Sequence, residues 1–448
     1  MATKNITVVG AGLVGSLLSI YLAKKGHIVN VYERRPDMRS AAIPAGRSIN
    51  LALSDRGWRG LEGAGIGDAI RAIAIPMSGR MMHGVDGTLN YQPYGKEGQA
   101  INSVSRRILN MTLMDCAEQY PNITLHFNHR ATDCDIDAPW VAFENTHTGE
   151  QSRVESDIII GSDGAFSAIR ERMQKTDRYN FSQDYLEHAY KELTIPPADD
   201  GGFRMEKNAL HIWARKSFMM IALPNTDGSF TCTLFFPYKG EVSFEQLRTE
   251  DDVRVFFNEY FPDAVPMMPT LIEDFFGNPT SSLVTMRAFP WVYGNTAALI
   301  GDAAHAIVPF YGQGMNCGFE DCVVMSDCID ASGGDWTAAF ANYERNRKPN
   351  GDAIAQLALD NFIEMRDKVA DPDFLLRKKI EAKLHAEYPR SFTPLYTLVT
   401  FSPDVPYSEA LRRGRENDTL MDAILAIPGV HDRWDDEDVR SAVQSFVQ

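Results

Sequence analysis

Residues 298–319 read ALIGDAAHAIVPFYGQGMNCGF. Ala298, Leu299 and Ile300 have the composition of a buried parallel strand. Gly301 and Asp302 follow, then a turn of small residues, Pro309, and the run Gly312-Gln313-Gly314-Met315-Asn316. The glycines Gly312 and Gly314 let the backbone approach something flat or anionic. After Gly314 the chain can open a helix, whose free amides at Gly314, Met315 and Asn316 would face a phosphate or an electron-rich ring. Asp302, at the strand end, can accept a hydrogen bond from a ribose or ribitol hydroxyl. Alone, the stretch also fits a glycine-rich surface loop. Two further motifs decide between these.

The first lies at the N-terminus. Residues 6–9 are a β-branched run, followed by Gly10-Ala11-Gly12-Leu13-Val14-Gly15, a helix pattern ending at Gly26, and a second strand at 28–32. Gly10 serves the tight turn, Gly12 admits a pyrophosphate, and Gly15 lets helix and strand pack, with Leu13 and Val14 between them. Glu33 stands 23 residues beyond Gly10, where a carboxylate can bind adenosine ribose hydroxyls. Arg34 and Arg35 adjoin it, and the pair does not discriminate between dinucleotides. The second motif is a strand at 157–160 running into Gly161-Ser162-Asp163-Gly164 and a helix that holds Ser167 and Arg170. Asp163 is placed on the cofactor side.

A chain of 448 residues can bury a large core and divide into two or three domains. A net charge of −16 disfavours nucleic acid and anionic membranes as general partners. The six cysteines form no CxxC pair and no zinc spacing with histidine, so reduced thiols and no metal centre are expected. The N-terminus runs straight into a strand without a signal peptide, and there is no apolar run of about 18 residues. A soluble cytoplasmic protein is expected.

The rest of the chain fills in around these motifs. Residues 46–57 carry Arg47, a candidate cofactor contact. Residues 78–94 read as a hairpin turning at Asp86-Gly87, with Arg80 and Tyr94 on its strands. A helix is expected from about 103 to 119, with Arg106 near its start, close to a phosphate or ring edge. Strands are expected at 123–127 and 140–145. Residues 185–290 alternate β-branched and aromatic runs, turning at Asn225, Asp227 and Gly228. They predict a mostly antiparallel sheet forming the substrate roof, with Phe235 a candidate lining aromatic. Residues 244–261 read as an acidic, solvated helical cap. Helices are expected at 317–331 and 336–346 and, beyond Pro349, at 353–366 and 372–388. Asn361, Glu364 and Met365 share one helical face, which leaves Glu364 either a buried acid or a solvated one. Tyr396 sits in the apolar stretch 393–401, and the charged tail from 412 should pack peripherally.

The fold class is therefore α/β: a Rossmann-like cofactor-binding domain with an inserted antiparallel β-sheet substrate domain and a C-terminal helical region. The boundaries are 1–175 and 291–348 for the cofactor domain, 176–290 for the sheet and 349–448 for the helical region.

Taken in order, GAGLVG at 10–15, GSDG with Ser167 and Arg170, and GDAAHAIVPFYGQGMN at 301–316 resemble the single-component FAD-dependent aromatic hydroxylases, which share the fold of p-hydroxybenzoate hydroxylase. Ser162 departs mildly, standing where alanine is usual. A finer likeness runs through GRSINLALSDRG (46–57), GRMMH (79–83), QPYG (92–95), KEL (191–193), NALHIW (208–213), VPFYGQGMNCGFED (308–321), DNFIEM (360–365) and LYTLVTF (395–401). These resemble segments of the kynurenine 3-monooxygenase family.

The resemblance implies non-covalent FAD, NADPH as co-substrate, and O2 captured on reduced flavin as a C4a-hydroperoxide whose distal oxygen goes to carbon 3 of L-kynurenine. It implies that Arg80, Tyr94, Tyr396 and Asn361 hold the amino-acid end. The essential acid falls on Glu364, with Met365 beside it, while Phe235, Phe310 and Gln313 surround the ring. Tyr311 occupies a variable position and receives no role. FAD would be held by Gly10, Gly12, Leu13, Val14, Gly15, Glu33, Arg34, Arg47, Arg106, Asp163, Asp302, Gly312, Gly314, Met315 and Asn316. Animal members carry a C-terminal membrane anchor that this chain lacks, so the soluble bacterial type is the nearer likeness, as a monomer or homodimer. Two rivals make different forecasts. A hydroxylase of phenols or quinone precursors predicts neutral groups at Arg80 and Tyr396. A flavin-binding redox regulatory protein predicts additional interaction modules.

Overall fold

The computed structural model describes residues 2–40, 49–94, 98–367, 372–434 and 436. Arg47 and the side chain of Met365 lie outside the described residues. The central sheet has six strands in the order Val292–Tyr293, Ala297–Leu299, Ile158–Gly161, Asn5–Val9, Ile28–Tyr32, Ile123–His126. All its pairings are parallel except that of Val292–Tyr293. The inner strands Ile158–Gly161 and Ala297–Leu299 are apolar throughout, as expected of strands covered on both faces. In register, Val9 pairs with Gly161 and Gly161 with Leu299. Three motifs far apart in sequence therefore leave the sheet side by side at one edge, the carboxyl end where such folds bind ligands.

A seven-stranded sheet, mostly antiparallel, stands beside this domain in the order Ser281–Phe289, Asn180–Ile195, Phe230–Pro237, Phe218–Pro224, Ala209–Arg215, Gly79–His83, Leu89–Pro93. The last two strands are the Arg80 hairpin, so this sheet is not confined to 176–290, and Gly79–His83 joins Ala209–Arg215 in parallel. One face packs on helix Glu250–Tyr260, which buries Val253, Phe256 and Phe257 among the sheet's aromatics. The expected solvated cap is thus amphipathic, and only its outer face is wet. Its N-terminus carries a Thr249–Asp252 capping box, which satisfies orphan amides.

Several expectations are corrected. Residues 103–105 belong to the strand Ile101–Ser105, and the helix starts at Arg106. The expected helix from 317 begins three residues earlier, as Gly314–Ala331. Strands His129–Asp135 and Gln151–Glu155 were not expected. The helices expected on either side of Pro349 are one helix, Trp336–Asp367. Proline there leaves the carbonyl of residue 345 without its amide, but Arg345 and Pro349 are both exposed, so water can serve it. Asn350 Nδ2 takes the next carbonyl, that of Asn346, at 2.7 Å. Helix Tyr407–Leu425 begins before the tail: Tyr407 and Ala410 enter the core around Phe310 and Phe362, whereas beyond 412 Met421, Ile424 and Val430 pack in a separate cluster with Ile380, Leu384 and Phe392.

Candidate active site

The first-strand loop has the shape a pyrophosphate requires. Gly10 has φ +104°, and a Cβ there would lie 2.6 Å from the Ser162 carbonyl oxygen. At Gly15 a Cβ would lie 2.0 Å from the Gly10 oxygen, whereas at Gly12 it would meet nothing within 4 Å. Gly10 and Gly15 are demanded by the protein's own packing. Gly12 faces open space, which is where a ligand backbone would pass. Leu13 and Val14 open the helix Leu13–Lys24, and Val14 packs against Gly301 and Gly318. Ser162, the residue that departs from the family pattern, donates from its hydroxyl to the Val9 and Gly10 carbonyls at 3.0 and 2.8 Å.

Glu33 is buried at the end of the second strand, where Oε2 accepts from the Ala11 amide at 3.1 Å and Oε1 from Arg35 Nε at 2.9 Å. Arg35, not Arg34, folds onto it, and Arg34 is exposed. Asp163 Oδ2 accepts from the Ala168 amide at 2.7 Å, while Oδ1 is buried without a partner. Burial pushes its carboxyl up, and the unpartnered Oδ1 is free to pair with a ligand hydroxyl. Asp302 is exposed at the start of helix Asp302–His305. Gly312 adopts φ +67°, and Gly314–Ala331 begins directly after Gln313, so the amides of Gly314, Met315 and Asn316 form its first turn and lack intrahelical acceptors. The Asn316 side chain is spent on structure: Oδ1 accepts from the Ser54 amide and Nδ2 donates to Ala52 and Gly312. Arg106 is exposed at its helix start. This open glycine turn, spare carboxylate oxygen and row of free amides fit an FAD.

The second half of the site gathers around Arg80. Its guanidinium lies over the rings of Tyr396 and Tyr94, with Cζ 4.5 and 5.3 Å from their centroids. Those rings stack on each other at 5.4 Å, and Tyr311 stacks on Tyr396 at 5.9 Å. Arg80 Nε and the Tyr94 hydroxyl are buried and have no hydrogen-bond partner. Buried donors left in this state cost about 1–3 kcal/mol each, which a carboxylate ligand would recover.

Next to this polar corner is an apolar wall. Phe235 and Phe310 meet at 5.0 Å, and Phe362 packs on Phe310 at 4.4 Å. Asn361 donates to the Phe310 carbonyl at 2.7 Å and so ties its helix to the wall. Glu364 is not a buried acid: its side chain is 39% exposed and Lys378 Nζ lies 3.6 Å away. Tyr311, left without a role by sequence, is where the groups converge. Its hydroxyl pKa is raised by burial, then by Tyr396 and Glu364, with Arg80 opposing.

Sequence reading also missed a buried charge chain. Glu320 bridges Arg56 and Arg347 at 3.0 and 2.7 Å, Arg347 Nε meets Asp321 at 2.6 Å, and Asp321 meets His305 Nε2 at 2.6 Å. Burial alone would pull the His305 pKa down, but the Asp321 carboxylate more than reverses this and holds it well above the ordinary histidine value. His305, Cys317 and Asp321 cluster within 4.8 Å as metal sites do, yet Arg347 places Nη2 3.2 Å from the Cys317 sulfur. Two of the three groups, Asp321 and Cys317, are thus already engaged by one guanidinium.

The family described as FAD binding domain matches residues 3–358. In fold, the chain is similar to 2-methyl-3-hydroxypyridine-5-carboxylic acid oxygenase, with a TM-score of 0.67 at 20% identity over 88% of this chain and 99% of that one. It is also similar to Pseudomonas aeruginosa PqsL, described as a probable FAD-dependent monooxygenase, with a TM-score of 0.64 at 17% identity over 82% and 97% of the two chains. The fold and site together define a flavoprotein of the FAD-dependent aromatic hydroxylase class. Kynurenine 3-monooxygenase of Flavobacterium psychrophilum is 49% identical over 98% of both chains. That of Myxococcus xanthus is 48% identical over 98% of this chain and 94% of its own, and that of Dictyostelium discoideum 45% over 95% and 94%. The chain belongs to the kynurenine 3-monooxygenase family.

Proposed function

We propose that the chain hydroxylates the aromatic ring of L-kynurenine at carbon 3, consuming NADPH and O2. The observation that carries this reading is the orphaned pair Arg80 Nε and Tyr94 Oη, set beside a wall of phenylalanines. An α-amino acid with an aniline ring offers a carboxylate to the first and an apolar face to the second. A phenol or quinone precursor without a carboxylate offers no anion for Arg80, which disfavours that form of the first rival. FAD, when bound, supplies the hydride-accepting and oxygen-activating chemistry.

The residues do the rest. Arg80 receives the carboxylate on a planar fork, with the Tyr94 and Tyr396 hydroxyls as further donors. Phe235, Phe310 and Phe362 hold the ring and exclude water. Glu364, at the more exposed rim, attracts the substrate's ammonium and orients it; Met365 is assigned to the substrate and Arg47 to the cofactor. Gln313 presents its amide from the loop before the Gly314 helix. The first-turn amides at Gly314, Met315 and Asn316 would hold the flavin and stabilise negative charge on it.

The proposed setting is the cytoplasm, free of membranes, with the catalytic unit a monomer or homodimer. Six unpaired cysteines suit a reducing compartment. The charge of −16 would repel anionic bilayers, and no described helix is long and apolar enough to cross one. Oxygen uptake with NADPH, with and without L-kynurenine, tests the reading. Stimulated uptake with release of 3-hydroxykynurenine is expected, and uptake indifferent to kynurenine overturns it.

A further inference from the structure

Arg56 is fully buried on helix Asp55–Ala64, and the reaction above makes no use of it. All of its nitrogens are engaged. Nε donates to the Val399 carbonyl at 2.7 Å, Nη1 to Glu320 at 3.0 Å, and Nη2 to the carbonyls of Leu398 and Ser402 at 3.1 Å each and to that of Val405. Leu398 and Val399 form the last turn of helix Leu395–Thr400, whose second residue is Tyr396. A cation there meets both the unpaired carbonyls and the negative end of the helix. The guanidinium also lies over the Tyr407 ring, with Cζ 4.0 Å from its centroid. Tyr407 in turn donates to Gln313 Oε1 at 2.9 Å, and Ser54, the residue before the Arg56 helix, lies 3.5 Å from the same oxygen. With both donors on Oε1, the amide N–H pair of Gln313 is turned to the other side.

We propose that Arg56 is a positioning residue for hydroxylation: it fixes the helix that carries Tyr396 through the Leu398 and Val399 carbonyls and Gln313 through Tyr407, and so sets the two ends of the substrate pocket relative to each other. This rests on the reading that Tyr396 and Gln313 face the substrate. The chemistry favours position over bulk stability. An apolar side chain could fill the same space without desolvating a charge. What it could not do is bind four carbonyls from a short helix and its following turn while stacking on the ring that orients Gln313.

The test uses the FAD-loaded full chain, with L-kynurenine as probe. Kynurenine Kd is read from the flavin absorbance change without NADPH, and coupling from hydroxylated product formed per NADPH consumed. Arg56→Lys keeps the charge and loses the fork. It should raise Kd about five- to tenfold in the wild-type background and less than about twofold in Tyr396→Phe, because the two act on one contact. Tyr407→Phe keeps the ring and frees Gln313. It should lower product per NADPH about threefold or more, the scale of one lost neutral hydrogen bond, with FAD content and melting temperature unchanged. An equal Kd penalty in both backgrounds, or full coupling in Tyr407→Phe, overturns the proposal. If Arg56→Lys does not fold, Tyr407→Phe alone decides. A wild-type spectrum that ignores kynurenine overturns the substrate reading itself, and that failure shows before any substitution is made.

Discussion

Replacing Arg80 with alanine perturbs the group on which the substrate assignment depends most. Its Nε is buried without a partner, and it makes no ion pair among the described residues. Burial works against its charge, although the neighbouring tyrosines more than offset this. Removal of Arg80 strands no carboxylate, so the unliganded protein loses only its contacts with the Tyr94 and Tyr396 rings. Melting temperature should hold or fall slightly, and FAD content should not change. With kynurenine bound, a charge-assisted hydrogen bond contributes about 1.5–3 kcal/mol. At about 1.4 kcal/mol per factor of ten, kynurenine KM should rise roughly ten- to a hundredfold in Arg80→Ala. Arg80→Lys should recover part of this, since lysine keeps the charge and loses the planar fork. The assay is kynurenine-stimulated NADPH oxidation, with flavin absorbance and thermal melting in parallel. An unchanged KM in Arg80→Ala refutes the carboxylate assignment, and loss of FAD moves Arg80 to the cofactor.

Three further outcomes are expected. Gly12→Ala should fold with normal thermal stability and lose FAD on gel filtration, because its Cβ meets no protein atom within 4 Å. Gly15→Ala should lose the fold itself, its Cβ falling 2.0 Å from the Gly10 oxygen; equal stability of the two variants would contradict the ligand role of Gly12. Glu33→Ala should weaken FAD retention by about 1–3 kcal/mol, read by flavin titration, and undiminished affinity would remove Glu33 from the cofactor site. Burial raises the Glu192 carboxyl from 4.5 to about 7, with Arg106 opposing. A raised folded pKa means the unfolded chain releases this proton first, so stability falls as pH rises from about 4.5 through 7. Glu192→Gln should flatten the melting temperature over that window, and an unaltered slope would exclude the assignment.

The cofactor half of the site was legible because its loops demand particular residues. A turn like Gly10 tolerates no side chain, and a strand covered on both faces, such as Ile158–Gly161, reads as an apolar run. His129–Asp135 and Gln151–Glu155 escaped notice because they are largely exposed, so no hydrophobic alternation marks them. Pro349 misled in the opposite direction, since a local rule about proline yields where the freed carbonyl faces water. The substrate half was less legible. Arg80 looks like any hairpin arginine until Tyr94 and Tyr396 are seen against it, and resemblance rather than pattern assigned it. Arg56 stood in a quoted motif, yet its carbonyl acceptors lie more than 300 residues away, a separation that no local periodicity reports.

The most direct measurement of the central claim is product analysis under isotopically heavy dioxygen. Protein, NADPH and L-kynurenine should yield 3-hydroxykynurenine carrying one heavy oxygen atom per molecule, with the other atom in water, as a flavin monooxygenase requires. A hydroxylated product labelled from water, or NADPH consumed only to peroxide with kynurenine recovered intact, would contradict the assignment.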